Sequence, residues 1–137
     1  MKVMAIDYGD ARTGVAVSDE TATLTGDVWV IHSRNANNIA SGIIEEAKTR
    51  GISKIVVGYP KNMNGSIGPR AEKCESFAGL LRSMCDIEIV LRDERMTTIS
   101  ANRVLTEAGR FGKKRKKTID AVAASIILEE YLAFMKN

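Results

Sequence analysis

Two hydrophobic periods divide the chain. Val3 to Ile6 is an unbroken apolar run closed by Asp7, the pattern of a buried strand. Thr13 to Ser18 is a second short β-rich run, with Gly9 and Gly14 in and after the intervening turn. Asp27 to His32 is a third, rich in β-branched residues. Their close spacing predicts an antiparallel meander. The period then lengthens. Between Asn38 and Arg50, Ile39, Ile43, Ile44 and Ala47 fall on one helical face, and Gly51 follows as a C-terminal cap. Lys54 to Gly58 reads as a strand, and Tyr59 to Arg70 as a loop rich in Gly, Asn and Pro. Pro69 suits the first position of a helix over Ala71 to Met84, whose inner face carries Cys74, Phe77, Ala78 and Leu81. Glu88 to Leu91 predicts a fifth strand. Thr98 caps a predicted helix that runs to Ala108 and stops at Gly109. Thr118 caps a last one, with Ile119, Val122, Ala123, Ile126 and Ile127 inward.

Three strands in succession predict an antiparallel part, and strands alternating with helices predict a parallel part reached by crossovers. One mixed five-stranded sheet with helices on both faces satisfies both. The expectation is an α/β fold in a single domain over residues 1–137, without repeats or linkers.

Composition narrows the chemistry. At 45% hydrophobic residues the chain can build a core. It shows neither a charged leader with an apolar stretch nor an apolar run of membrane-spanning length, so a cytoplasmic protein with no membrane partner is expected. Two cysteines, Cys74 and Cys85, cannot make a structural zinc site alone and are expected as reduced, partly packed thiols. His32, the single histidine, sits in a strand pattern, which argues against a Ser-His-Asp triad or a histidine-rich metal site. The net charge of +3 is unevenly spread. Arg110, Lys113, Lys114, Arg115, Lys116 and Lys117 form one stretch without an acid; setting these six aside leaves 14 cations against 17 acids. A mildly acidic body thus carries one basic segment, suited to phosphate contacts or to a solvated loop.

Three acids stand out by position. Asp7 ends the first predicted strand, Glu94 ends the fifth, after Ile89-Val90-Leu91, and Asp120 opens the last helix. In open α/β sheets, ligands gather beyond the carboxyl ends of parallel strands. Each acid also suits a plainer role: turn residue, solvated loop residue, or helix-dipole partner. Together, without His or Cys nearby, they are hard oxygen donors that suit Mg²⁺ or Mn²⁺. Two such ions activate water and stabilise the leaving oxygen of a phosphodiester. Arg12, Arg95 and the basic run would hold the backbone of a nucleic acid. Asn62 to Arg70 leads two glycines into a helix start, which suits either a phosphate or a surface loop.

Four segments together resemble the YqgF family of RNase H-like proteins. They are Ile6-Asp7-Tyr8-Gly9 with Arg12 and Gly14 to Asp19; Val57-Gly58-Tyr59-Pro60 with Asn62, Gly65 and Gly68-Pro69-Arg70-Ala71; Asp93-Glu94-Arg95 with Thr97-Thr98; and Lys113 to Lys117 with Ile119-Asp120 and Ala123-Ala124. The resemblance implies an RNase H-like mixed five-stranded sheet, with Asp7, Glu94 and Asp120 as catalytic and metal-binding acids. It implies a nuclease acting in maturation of precursor 16S ribosomal RNA or, like junction resolvases, on branched DNA, as a monomer or homodimer. Arg12, Arg70, Arg95, Lys113, Lys114, Arg115, Lys116 and Lys117 are the expected nucleic-acid contacts. Related resolvases carry an acid at the end of the fourth strand, where this chain has Gly58-Tyr59-Pro60. Two other readings fit parts of the pattern. One is a non-catalytic ribosome-assembly factor that uses the basic run. The other is a nucleotide-binding phosphotransferase, which the chain's single-domain length disfavours.

Overall fold

The computed structural model describes residues 1–61, 64–93 and 115–136, and in it the five strand-forming runs make one sheet of order β3-β2-β1-β4-β5. β1 (Lys2–Asp7) pairs antiparallel with β2 (Arg12–Ser18), and β2 with β3 (Thr25–His32). On its other side β1 runs parallel to β4 (Ile52–Tyr59), and β4 parallel to β5 (Glu88–Asp93). The expected meander and parallel half are both present. β1 is the central strand, which explains its continuous apolar run: Val3, Met4, Ala5 and Ile6 are all fully buried.

Strand alternation splits the core in two. Met4, Ile6, Val15, Val17, Ile55 and Val57 face α1 (Ala36–Arg50) and α2 (Pro69–Met84). Val3, Ala5, Ala16 and Val56 face α3 (Arg115–Lys136), which lays Ala124, Ile127, Leu128, Tyr131 and Leu132 on them. The alanines on this second face leave room for a helix to lie close. Each fully buried Ile or Leu contributes about 1.5–3 kcal/mol.

The ends of α1 follow from side-chain chemistry. The Asn35 side chain accepts from the Asn38 N–H at 3.1 Å, and Gly51, at φ 71°, closes the helix by donating to Ala47 and Lys48 carbonyls. All four predicted inner residues of α2 are buried. Both cysteines are free thiols, Cys74 buried and Cys85 partly so.

Three expectations are corrected. Tyr59 belongs to β4 and not to the following loop: it pairs in register with Asp93, and its ring is buried in the core. The last helix begins at Arg115, ahead of Thr118, because Lys and Arg are strong helix formers and extend it backward through the basic run. Ile126 and Ile127 are buried as expected, with Ala124, Leu128, Tyr131 and Leu132, whereas Val122 and Ala123 are only partly covered. The helix expected over Thr98 to Ala108 lies outside the described residues. Among the described residues, no helix is long and apolar enough to cross a membrane.

Candidate functional site

The parallel strands β1, β4 and β5 end together in Asp7, Tyr59 and Asp93. Asp7 lies one residue past the Ile6–Val57 pair. It shares strand parity with Val3 and Ala5, the residues under α3, and its side chain is only 15% exposed. Arg70 reaches this edge from the first turn of α2, with Nη2 3.9 Å from Asp7 Oδ1. At that separation the guanidinium offsets charge at Asp7.

The chain after Asp7 turns tightly. The Gly9 N–H donates to Thr13 Oγ1 at 3.5 Å, and Thr13 is fully buried. A β-carbon on Gly9 would stand 2.3 Å from the Arg12 carbonyl oxygen, so the turn requires glycine. This turn and the start of α2 enclose a cleft of about 450 Å³ whose polar lining includes Asp10, Arg12, Arg70 and Lys73. Lys73 Nζ donates to Asp10 Oδ1 at 2.9 Å, and that bond holds the Asp10 carboxyl below the usual carboxylate range. Tyr8 stacks on Phe77 with ring centroids 4.1 Å apart and planes at 12°. Burial, reinforced by the nearby Asp10 charge, pushes its hydroxyl pKa up. At the end of β4, the Tyr59 hydroxyl donates to the Glu75 carboxylate; the bond favours the protonated phenol and raises its pKa to about 12.

Of the acids expected from sequence, Asp7 is described in full. Asp120 lies in the backbone of α3, early in the helix that packs on Asp7's face. Its side chain, and those of Arg115, Lys116 and Lys117 in the same helix, lie outside the described parts of the molecule, as do Glu94, Arg95, Lys113 and Lys114 altogether. β5 reaches Asp93 at the carboxyl edge, and Glu94 is the next residue in the sequence. Among the described residues there is no group of three His, Cys, Asp or Glu able to hold a metal ion. The donor that is described, the largely enclosed Asp7 carboxylate, is a hard oxygen ligand and fits a hard divalent cation. Arg12 and Arg70 both line the cleft beside it. Lys73 and Tyr8, which complete that cleft, are not singled out by the sequence pattern. A signal exists, since Lys73 stands one helical turn after Arg70 and Tyr8 directly follows Asp7.

The chain is 44% identical over 138 residues to a protein of Caldanaerobacter subterraneus named "Putative pre-16S rRNA nuclease", covering 100% of this chain and 99% of that one. A Halothermothrix orenii protein of the same name is 44% identical over 140 residues, covering 100% and 98%. Among solved structures, RuvC of Thermus thermophilus in complex with Holliday junction substrate superposes with a TM-score of 0.66 at 13% identity, covering 100% of this chain and 97% of the other. The fowlpox virus resolvase bound to Holliday junction DNA gives 0.53 at 9% identity, covering 99% and 96%. At such identities these two likenesses carry the fold, the RNase H-like sheet of resolvases. The family model described as "RuvX: Holliday junction resolvase" matches residues 1–134, and the chain belongs to that family.

Proposed function

We propose that this chain is a divalent-metal-dependent nuclease that hydrolyses nucleic-acid phosphodiesters at the carboxyl edge of β1, β4 and β5, with Asp7, Glu94 and Asp120 as its acids. The observation that carries the reading is Asp7 itself. It is a largely enclosed carboxylate at the end of the central strand, on the face that α3 covers, with the Arg70 guanidinium beside it. The direction of α3 supports the place of Asp120. Tyr131 accepts a hydrogen bond from Lys54 near the start of β4. Asp120 precedes Tyr131 by three helical turns, about 16 Å of helix. That length matches about five strand residues and favours the carboxyl edge for the helix start. Asp93, the last residue of β5, supports the same edge for Glu94.

Mg²⁺ or Mn²⁺ at these acids would supply Lewis acidity and a water of lowered pKa. The protein's part is to hold that position dry on one side and charged on the other. Asp7 is fixed by its strand, and Thr13 and Gly9 fix the turn behind it. Arg70 and Arg12 neutralise the phosphate that enters, and the basic run from Lys113 to Lys117 serves flanking phosphates. The names of the relatives favour precursor 16S ribosomal RNA as substrate and a cytoplasmic setting, and the family's description keeps branched DNA as the alternative. A monomer suffices for trimming an RNA end, whereas a two-fold junction calls for a homodimer.

The test is cleavage of end-labelled RNA bearing the ribosomal precursor end, run beside a four-way DNA junction, with Mn²⁺ or with EDTA. Metal-dependent cutting of the RNA supports both activity and substrate. Cutting of the junction alone moves the substrate to DNA. Binding without cutting of either would leave a non-catalytic assembly role.

A further inference from the structure

A second hollow, of about 490 Å³, adjoins the cleft beside Asp7 and shares Tyr8, Pro69 and Lys73 with it. The two differ in chemistry. The first is cationic, with Arg12, Arg70 and Lys73 against the single acid Asp10. The second is floored by Ala36, Phe77 and Leu80, with Tyr8 as the common wall, and Glu72 and Ser76 also line it. From Asp7 outward the surface therefore runs carboxylate, cations, then an aromatic and aliphatic floor, the order in which a nucleic-acid strand presents a scissile phosphate, the next phosphate and its base. We propose that these joined hollows form a subsite for one unpaired nucleotide next to the bond that is cut, its phosphate on Arg70 and Lys73 and its base against Tyr8 and Leu80. The subsite rests on the nuclease reading above and adds a preference for single-stranded substrate at that position.

Two features suit it to this task. The stack of Tyr8 on Phe77 holds the ring in place before any ligand arrives, so little side-chain freedom is lost on binding. Lys73 is held at the mouth by Asp10, a partner that a phosphate replaces charge for charge. A base locked in a duplex cannot enter such a floor, whereas an unstacked base can.

Fluorescence anisotropy in EDTA, with one labelled strand offered single and as a duplex, separates the outcomes. Ser76→Trp fills the hollow from the exposed face of α2, and Asp10→Asn frees Lys73. Ser76→Trp is expected to weaken single-strand binding about tenfold, the scale of one base stack, and to leave duplex binding within about twofold. Asp10→Asn is expected to tighten single-strand binding and steepen its salt dependence. A strand carrying a photoreactive thiobase should label the peptides that contain Tyr8 or Leu80. Unchanged single-strand binding in Ser76→Trp, equal weakening on duplex, or labelling only elsewhere overturns the subsite. Failure of the wild-type protein to cut any substrate, with this binding pattern intact, counts against the nuclease reading alone.

Discussion

Replacing Gly9 with alanine probes how closely the turn behind Asp7 controls the site. The added β-carbon would meet the Arg12 carbonyl oxygen at 2.3 Å, about 1 Å inside the 3.4 Å at which ordinary contact begins. The neighbour is backbone, so no rotamer change relieves the clash, and the turn itself must open. Overpacking of this kind costs about 1–3 kcal/mol. For a chain of this length that lowers Tm by about 3–12 °C. The functional loss should be larger in proportion. The same turn joins Asp7 to Arg12 and carries the Gly9 to Thr13 bond, and a displacement of about 1 Å at a reacting centre can cost about 10²-fold in rate. Thermal melting and cleavage rate on Gly9→Ala and Gly42→Ala make the comparison. Gly42 lies inside α1 with nothing within 4 Å of its β-carbon position, so alanine there should stabilise by about 0.5–1 kcal/mol and leave cleavage unchanged. A Gly9→Ala protein with the parent's Tm and rate would refute the close packing of this turn and its control of Asp7.

Other consequences are as direct. In Tyr59 the folded protein binds the phenolic proton more tightly than the unfolded chain, so the stability from its bond to Glu75 is fully present below about pH 10 and is lost as pH rises toward about 12. Tyrosinate absorbance should show a late-titrating residue that Tyr59→Phe removes. Neutralising Lys116 and Lys117 together should reduce the slope of log affinity against log salt by about 0.7–0.9 for each phosphate that the variant no longer neutralises, read from nucleic-acid binding across a salt series. Asp10→Asn should leave melting near neutral pH almost unchanged, because its ion pair with Lys73 lies at the surface, and should abolish the part of acid destabilisation that sets in as pH falls through the lowered Asp10 pKa.

Much of the fold is legible in the chain because its local signals agree with its packing. β1 reads as a strand buried on both faces because it lies at the centre of the sheet, and Gly51 and Pro69 mark helix ends where the structure has them. The direction of pairing is legible too, since three strands without helices leave no crossover. The register of α3 is harder to read. Its apolar residues are so abundant that several stripes are possible, and the small floor of Ala5 and Ala16, contributed from elsewhere in the sequence, selects Ala124 and Leu128. Tyr59 is misplaced by its sequence for a related reason: a Gly-Tyr-Pro string resembles a loop until the partner strand is known to extend to Asp93. At the site, Asp7 is legible from its position at a strand end. Tyr8 after Asp7 and Lys73 one turn after Arg70 leave only a faint signal, and Glu75 leaves none, because their meaning comes from α2 folding back against the end of the sheet.

The most direct measurement is Mn²⁺ binding by titration calorimetry, with single-turnover cleavage on the same preparations, for the parent, Asp7→Asn, Glu94→Gln and Asp120→Asn. One metal centre built from three chain segments predicts that every variant melts within a few degrees of the parent, binds Mn²⁺ more weakly, and loses cleavage to background while still binding substrate. Full cleavage in the Asp7→Asn protein, or Mn²⁺ affinity indifferent to all three acids, would contradict a catalytic centre at the end of β1.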